Sequence, residues 1–359
     1  MKNNINIDIS SNLPKKDRKN ILSLLKTIKT NPSLFPYELD IEKNKINFVK
    51  MSREHYRKSF FILAPGKGPG HLKSDFSFSL YFDDVKNIFK DMSYKNKSAI
   101  IYNHGFCCST LLSRLLEESF NILSLKEPPL INTLKHHLDN NKGAEDVKNT
   151  IFCLHNRSFN KKQKVLWKPS DYAFDLIEHT EVLSIPSIYL YSPLREYIAS
   201  CSKEKRTEWI QNRADYKKIL KEFNLSENAI DISKTANQAM LYWCYFAKKF
   251  KYYSSQRSNI LALNSATLLS DYKIIYKVGK HLKLNKRLNF FKQRNLNKLL
   301  STYSKTDDYK FNKNIRSDLL NEIINNNKKD IINAEMLAEK ILEIDIKDFK
   351  FENEIKWRA

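Results

Sequence analysis

Apolar residues follow two different periods along this chain. Between residues 98 and 284, short unbroken apolar runs alternate with stretches in which apolar residues return every three or four positions. The runs are SAIIY (98–102), NILSL (121–125), VLW (165–167), SIYLY (187–191) and NILAL (259–263). Unbroken β-branched and aromatic runs of this kind mark strands buried on both faces. The helical periods cover TLLSRLLEESF (110–120), about 129–137, and stretches near 171–178, 194–203 and 268–282. A longer helix is expected over about 231–254, where Tyr242, Trp243, Tyr245 and Phe246 recur at helical spacing and read as core. Strands alternating with helices predict an α/β fold with a parallel sheet built of βαβ units and flanked by helices. That domain is expected over 96–359, preceded by an N-terminal extension, 1–95.

The extension is patterned differently. Residues 15–30 read as an amphipathic helix: Pro14 suits its first turn, Ile21, Leu24, Leu25 and Ile28 share a face, and Pro32 follows its end. INFV (46–49) and FSFSLYF (76–82) are strand-like, the second alternating Phe76, Phe78 and Leu80 with Ser. The Gly/Pro cluster APGKGPGHLKS (64–74) lacks the spacing of a phosphate loop, and Pro65 and Pro69 remove backbone donors, so a surface loop is expected. NEIINNNKKDIIN (321–333) reads as a solvated loop or helix end. No internal repeat is present.

Composition narrows the class. Of 359 residues, 42% are hydrophobic and 28% charged, a globular mixture. The net charge of +22 is spread along the chain. Most of it reads as a general abundance of Lys, and a basic face around an anionic cofactor would account for part of the rest; without interleaved aromatics or a known motif, nucleic acid is not an expected partner. The five cysteines, Cys107, Cys108, Cys153, Cys201 and Cys244, form no CxxC pair, and the eight His do not approach metal-ligand spacing with them. Neither a disulfide framework nor a metal is expected. The start of the chain lacks a signal-peptide apolar run, and no stretch reaches the roughly 18 apolar residues of a spanning helix. A cytoplasmic protein without membrane contact is expected.

The chemistry concentrates in AIIYNHGFCCSTLLSRLL (99–116), where a strand enters a tight turn that opens a helix. The first amides of such a helix have no helical acceptor, and the helix dipole adds positive charge at the same spot. A phosphate satisfies both. Gly105 admits the anion without a Cβ, Cys107 and Cys108 keep the loop compact, and Ser109 and Thr110 can cap the helix or donate to phosphate oxygens. A plain strand–loop–helix connection with a Ser/Thr cap would read the same way, so the segment by itself leaves both open.

GFCCSTLLSRLL (105–116), followed by SLKEPPLI (124–131), resembles the phosphosulfate-binding turn of P-loop sulfotransferases, in particular bacterial members with a Cys-rich turn and a following Lys/Arg-Glu-Pro. The likeness continues in order through WKPSDYAFDL (167–176), IYLYSPLREYIASCSK (188–203), NILALNSATLLSDYKIIYKVGKHLKL (259–284) and TYSKTDDYKF (302–311). The resemblance implies a P-loop type of sheet, 3′-phosphoadenosine-5′-phosphosulfate as co-substrate, and transfer of its sulfuryl group to a hydroxyl or amine of a small or polymeric acceptor. The extension 1–95 then becomes a candidate cap over the acceptor. Gly105, Phe106, Cys107, Cys108, Ser109 and Thr110 would line the phosphosulfate. Two positions depart from the family: Phe106 stands where a Lys or Arg precedes the small residues, and Tyr191 stands where an Arg holds the 3′-phosphate. The resemblance moves that contact to Arg195 and Ser200, with Arg316 as a further cation. His104, Lys168 or Lys305 could replace the turn cation, and Lys305, on a late loop, is favoured for the bridging oxygen. Glu127, after the second strand, is the first candidate general base, or else an acid placed by the dipole of the helix after it. His104 is the second candidate, or a strand-end residue that only binds backbone. Two other readings remain. One is a P-loop kinase-like phosphotransferase, opposed by the absence of a Walker Lys and a magnesium-binding acid. The other is a non-catalytic nucleotide-binding or scaffold protein.

Overall fold

A computed structural model of the chain describes residues 4–6, 15–57, 77–92, 98–140, 144–178, 184–287, 292–302, 312–347 and 349–356. The 64–74 loop and Lys305 lie outside the described residues.

Two sheets are present. The first joins β1 (Asn4–Asn6), β2 (Leu34–Asp40), β3 (Lys45–Lys50) and β4 (Ser77–Tyr81) in the order β1-β4-β3-β2. Helices α1 (Lys15–Thr30), α2 (Arg53–Arg57) and α3 (Phe82–Phe89) are interleaved with them. The second is all parallel: β5 (Ser98–Asn103), β6 (Ile122–Lys126), β7 (Lys164–Lys168), β8 (Ser187–Tyr191) and β9 (Ile260–Asn264), in the order β6-β7-β5-β8-β9. All five expected apolar runs became these strands. Their residues are buried on both faces because alternate side chains enter different cores. Ala99 and Ile101 join Leu112, Leu115 and Leu116 of α4 (Ser109–Ser119) on one face. Ile100 and Tyr102 join α5 (Pro129–Asn140) and α6 (Ala144–His155) on the other.

The second core does not stop at the central sheet. Ile28, Phe35, Phe48 and Phe78 from the first 81 residues belong to the same buried cluster as Trp167 and Tyr189. Buried Arg157 reinforces the join, donating to the carbonyls of Ile28 (2.7 Å), Asn31 (3.0 Å) and Leu34 (2.7 Å). Buried Lys126, at the end of β6, likewise donates to the Tyr56 carbonyl (2.7 Å) while pairing with Glu117.

The remaining helices are α7 (Leu194–Cys201), α8 (Glu204–Gln211), α9 (Tyr216–Glu222), α10 (Thr235–Ser255), α11 (Ser265–Ser270), α12 (Ile275–His281), α13 (Lys292–Ser301), α14 (Lys313–Asn326) and α15 (Lys328–Leu342). Two of the expected helices take a different form. Residues 171–178 wind as a 3₁₀ helix. The helix expected near 268–282 is broken at Asp271, whose side chain turns back to accept from the Lys273 amide and restarts the chain. The Asn/Lys tract 321–333 takes the second of its two expected forms, a helix end: it ends α14 and begins α15, which meet at Asn327. Leu320, Ile331, Ala334 and Ala338 are buried, so the polar tract is the solvated side of two amphipathic helices. Among the described residues no helix is long and apolar enough to cross a membrane.

Gly279 in α12 lies against Phe120, whose ring carbon would stand 2.1 Å from an added Cβ. Gly279→Ala would gain about 1 kcal/mol of helix propensity. Overpacking against a fully buried ring costs more, typically about 1–3 kcal/mol, occasionally higher. We expect a net loss of stability in urea denaturation; an unchanged or raised midpoint would show that Phe120 moves aside freely.

Candidate functional site

β5 is central, and the chain crosses from one side of it to the other between β7 and β8. The crevice outside the carboxyl ends of strands at such a reversal is where open α/β sheets hold ligands. The turn from β5 into α4 is built there. Its backbone takes left-handed angles at Gly105 (φ 84°), Phe106 (φ 49°) and Cys108 (φ 66°). Two of the three carry a Cβ that makes this conformation costly, by roughly 1–2 kcal/mol each. Strain of this order persists only where surroundings impose it, and it concentrates at functional sites.

Asn103 imposes it. Its side-chain oxygen accepts from the Gly105 amide (3.1 Å) and the Ser109 hydroxyl (3.3 Å), and its amide donates to the Pro169 carbonyl (3.1 Å). Ser109 and Thr110 are therefore the first residues of α4 and not its cap. Cys108 holds the cap position and makes no side-chain cap bond, so the leading amides of an eleven-residue helix are left to another acceptor. The Ser109 hydroxyl is committed to Asn103, and Thr110 is buried beside it. Burial pushes the Cys107 thiol up to about 12 and the Cys108 thiol upward as well, so both stay neutral.

His104 is fixed in place. Its Nε2 accepts from the Ser192 amide (3.0 Å) and its carbonyl accepts from the Tyr197 hydroxyl (3.2 Å). The ring is fully buried, and desolvation drives its pKa down to about 3. A neutral imidazole whose lone pair is already occupied positions the turn and has no free basic nitrogen to offer.

Glu127 closes β6 in a left-handed conformation (φ 58°). Its amide donates to the Lys168 carbonyl (2.6 Å) and its carboxylate pairs with the Lys168 ammonium. Lys168 is buried at the end of β7, within electrostatic reach of Cys107, while the Glu127 side chain keeps 27% exposure. A carboxylate and an ammonium thus sit beside the turn, the carboxylate open to solvent.

Phe106 attracts a cation in place of being one. The Arg206 guanidinium lies over its ring at 4.2 Å and donates to the Ser200 carbonyl (3.2 Å). Trp209 packs edge-on against Phe106 at 4.6 Å and leaves only 3.2 Å to a Cβ on Gly105. Arg213 lies 4.6 Å over the Trp209 ring while paired with Asp171. Arg316 pairs with Glu196 (2.7 Å) and lies within reach of the Cys108 thiol.

Arg195 and the Ser200 side chain make no hydrogen bond or ion pair with the turn among the described residues. Arg195 donates from Nε and Nη2 to Glu335 (2.8 and 2.5 Å), so its charge is paired on α15. Ser200 is buried within α7, and Tyr191 donates to Glu354 (2.6 Å). Asn103, Arg206 and Trp209 were not picked out from sequence. Asn103 carried a signal, an Asn two residues before a Gly at a strand end; Arg206 and Trp209 carried none, because α8 is placed by tertiary packing. Among the described residues no group of three or more His, Cys, Asp or Glu side chains could hold a metal ion.

No protein-family model matches this chain, and no curated protein matches it.

Asn103→Ala should strand the buried Ser109 hydroxyl and Pro169 carbonyl. Each stranded buried group costs about 1–3 kcal/mol. Guanidinium denaturation is expected to report a loss of about 2–6 kcal/mol for the two groups; a variant as stable as the parent would mean that the turn holds itself.

Proposed function

We propose that this chain is a sulfotransferase that binds 3′-phosphoadenosine-5′-phosphosulfate on a P-loop-like turn, residues 105–110, at the end of β5. The observation that carries the reading is the uncapped start of α4, held by a left-handed turn at the sheet's reversal point. Its amides converge on one spot and carry the positive end of the helix dipole, a setting that favours a phosphate. The likeness of this segment and of SLKEPPLI (124–131) to sulfotransferases supplies the reaction.

In this reading the acceptor oxygen or nitrogen attacks sulfur in line. The new S–O or S–N bond forms as the bond from sulfur to the 5′-phosphate oxygen breaks. The acceptor proton passes to the Glu127 carboxylate, and adenosine 3′,5′-bisphosphate leaves. Charge building on the leaving phosphate is met by the turn amides and by Lys168, whose ion pair with Glu127 keeps base and cation adjacent. Lys305 is the further candidate at the bridging oxygen. The segment 1–95 is proposed to bear on the acceptor. Phe106, standing at a usual cation position, favours a second reading, a protein that binds the nucleotide without turnover.

Calorimetric titration with adenosine 3′,5′-bisphosphate separates the possibilities. We expect binding, and at 100 times the dissociation constant a stabilisation of about 2.7 kcal/mol. Glu127→Gln should keep product binding and lower sulfuryl transfer by about 10²–10⁴. Melting is followed in parallel, because the variant removes the partner of buried Lys168. Product binding without transfer in the parent would select the second reading, and no binding would sink both.

A further inference from the structure

Lys203, Arg206 and Arg316 come together from two helices, beside the Phe106 and Cys108 end of the turn. Lys203 precedes α8, Arg206 lies on α8 and Arg316 lies on α14. Lys203 is within electrostatic reach of both guanidinium groups, and both guanidinium groups are within reach of Cys108. Among the described residues, Glu196 is the carboxylate that faces them, bound to one arm of Arg316 at 2.7 Å. The other terminal arm, Nη2, is buried with no hydrogen-bond partner. Arg206 is held by the Phe106 ring and the Ser200 carbonyl, neither of which neutralises it. Among the described residues three cations face one acid, and the buried Arg316 nitrogen has only the weakly accepting Cys108 thiol beside it, an arrangement that is costly to assemble unless an anion completes it.

We propose that Lys203, Arg206 and Arg316 form a subsite for a phosphate dianion beside the turn. The guanidinium arm of Arg316 supplies a charge-assisted hydrogen bond, Arg206 a second cation fixed in direction by Phe106, and Lys203 a third positive charge. The subsite stands on side chains outside 105–110 and does not depend on sulfuryl chemistry. Its strength depends on pH. Burial first, then Arg206 and Arg316, push Lys203 down to about 8. An anion favours the charged ammonium, so affinity holds below about pH 8 and falls as the lysine deprotonates above it.

Calorimetry with inorganic pyrophosphate tests this on the full chain, alongside adenosine 3′,5′-bisphosphate. Arg316→Gln should weaken pyrophosphate about tenfold or more, the scale of one lost charge-assisted bond. Lys203→Met should flatten the decline between pH 7 and 9.5. Glu196→Gln frees Arg316 and should tighten binding. Lys251→Met, the same charge change at an exposed position, should do nothing. Pyrophosphate binding equally to the parent and to Arg316→Gln overturns the subsite, as does weaker binding by Glu196→Gln. In either case, bisphosphate binding leaves the sulfotransferase reading standing. If the parent binds neither probe, both are overturned. A folded Arg316→Gln variant is confirmed by its melting curve; should it not fold, the Glu196→Gln and Lys203→Met results decide.

Discussion

The site rests on one side chain. Asn103 ends the central strand and its side chain ties the turn down, accepting from an amide and a hydroxyl of the next six residues and donating to a carbonyl at the neighbouring strand's exit. Those bonds offset the crowding at Phe106 and Cys108 and aim the start of α4 outward. Everything else at the crevice is arranged around that direction. Trp209 fills the space that Gly105 leaves, Phe106 presents its face to Arg206, and His104 is locked from behind by Ser192 and Tyr197.

The central sheet was legible because burial on both faces leaves a plain trace. A strand with a core on each side cannot carry a polar residue at every second position, so 98–102 and 187–191 stand out as apolar blocks. Amphipathic helices far from the sheet were harder. In 321–333 the polar side faces water and dominates the composition, while Ile331 and Ala334 carry the packing. At the site, Gly105–Thr110, Glu127 and Lys168 could be named in advance because each sits at the end of a recognisable strand. Arg195 was misplaced for the opposite reason. It is the second residue of a helix, and its partner Glu335 is 140 residues away, beyond any local pattern.

Basic residues outnumber acidic ones, 62 to 40, yet around the crevice carboxylates are rationed closely. Glu127 faces Lys168, Asp171 faces Arg213, Glu335 faces Arg195 and Glu196 faces Arg316. These pairs fix long side chains in place, which matters more than their net contribution to stability, since a buried ion pair recovers little beyond its desolvation cost. An excess of charge that looks uniform in the sequence is thereby sorted into neutralised pairs and a few cations held without a partner charge.

The Arg157 clamp has a bearing on how the protein is made. Its guanidinium closes off carbonyls of α1 and the start of β2 that precede it by 129, 126 and 123 residues. During synthesis, at about 5–20 residues per second, those segments emerge roughly 6–26 s before the residue that completes them. Through that interval Ile28, Leu34 and Phe35 can pack against Phe48, Phe78 and their neighbours but lack the part of their core that Ile151, Phe152 and Trp167 supply. The N-terminal sheet therefore completes its packing only after α6 has been translated.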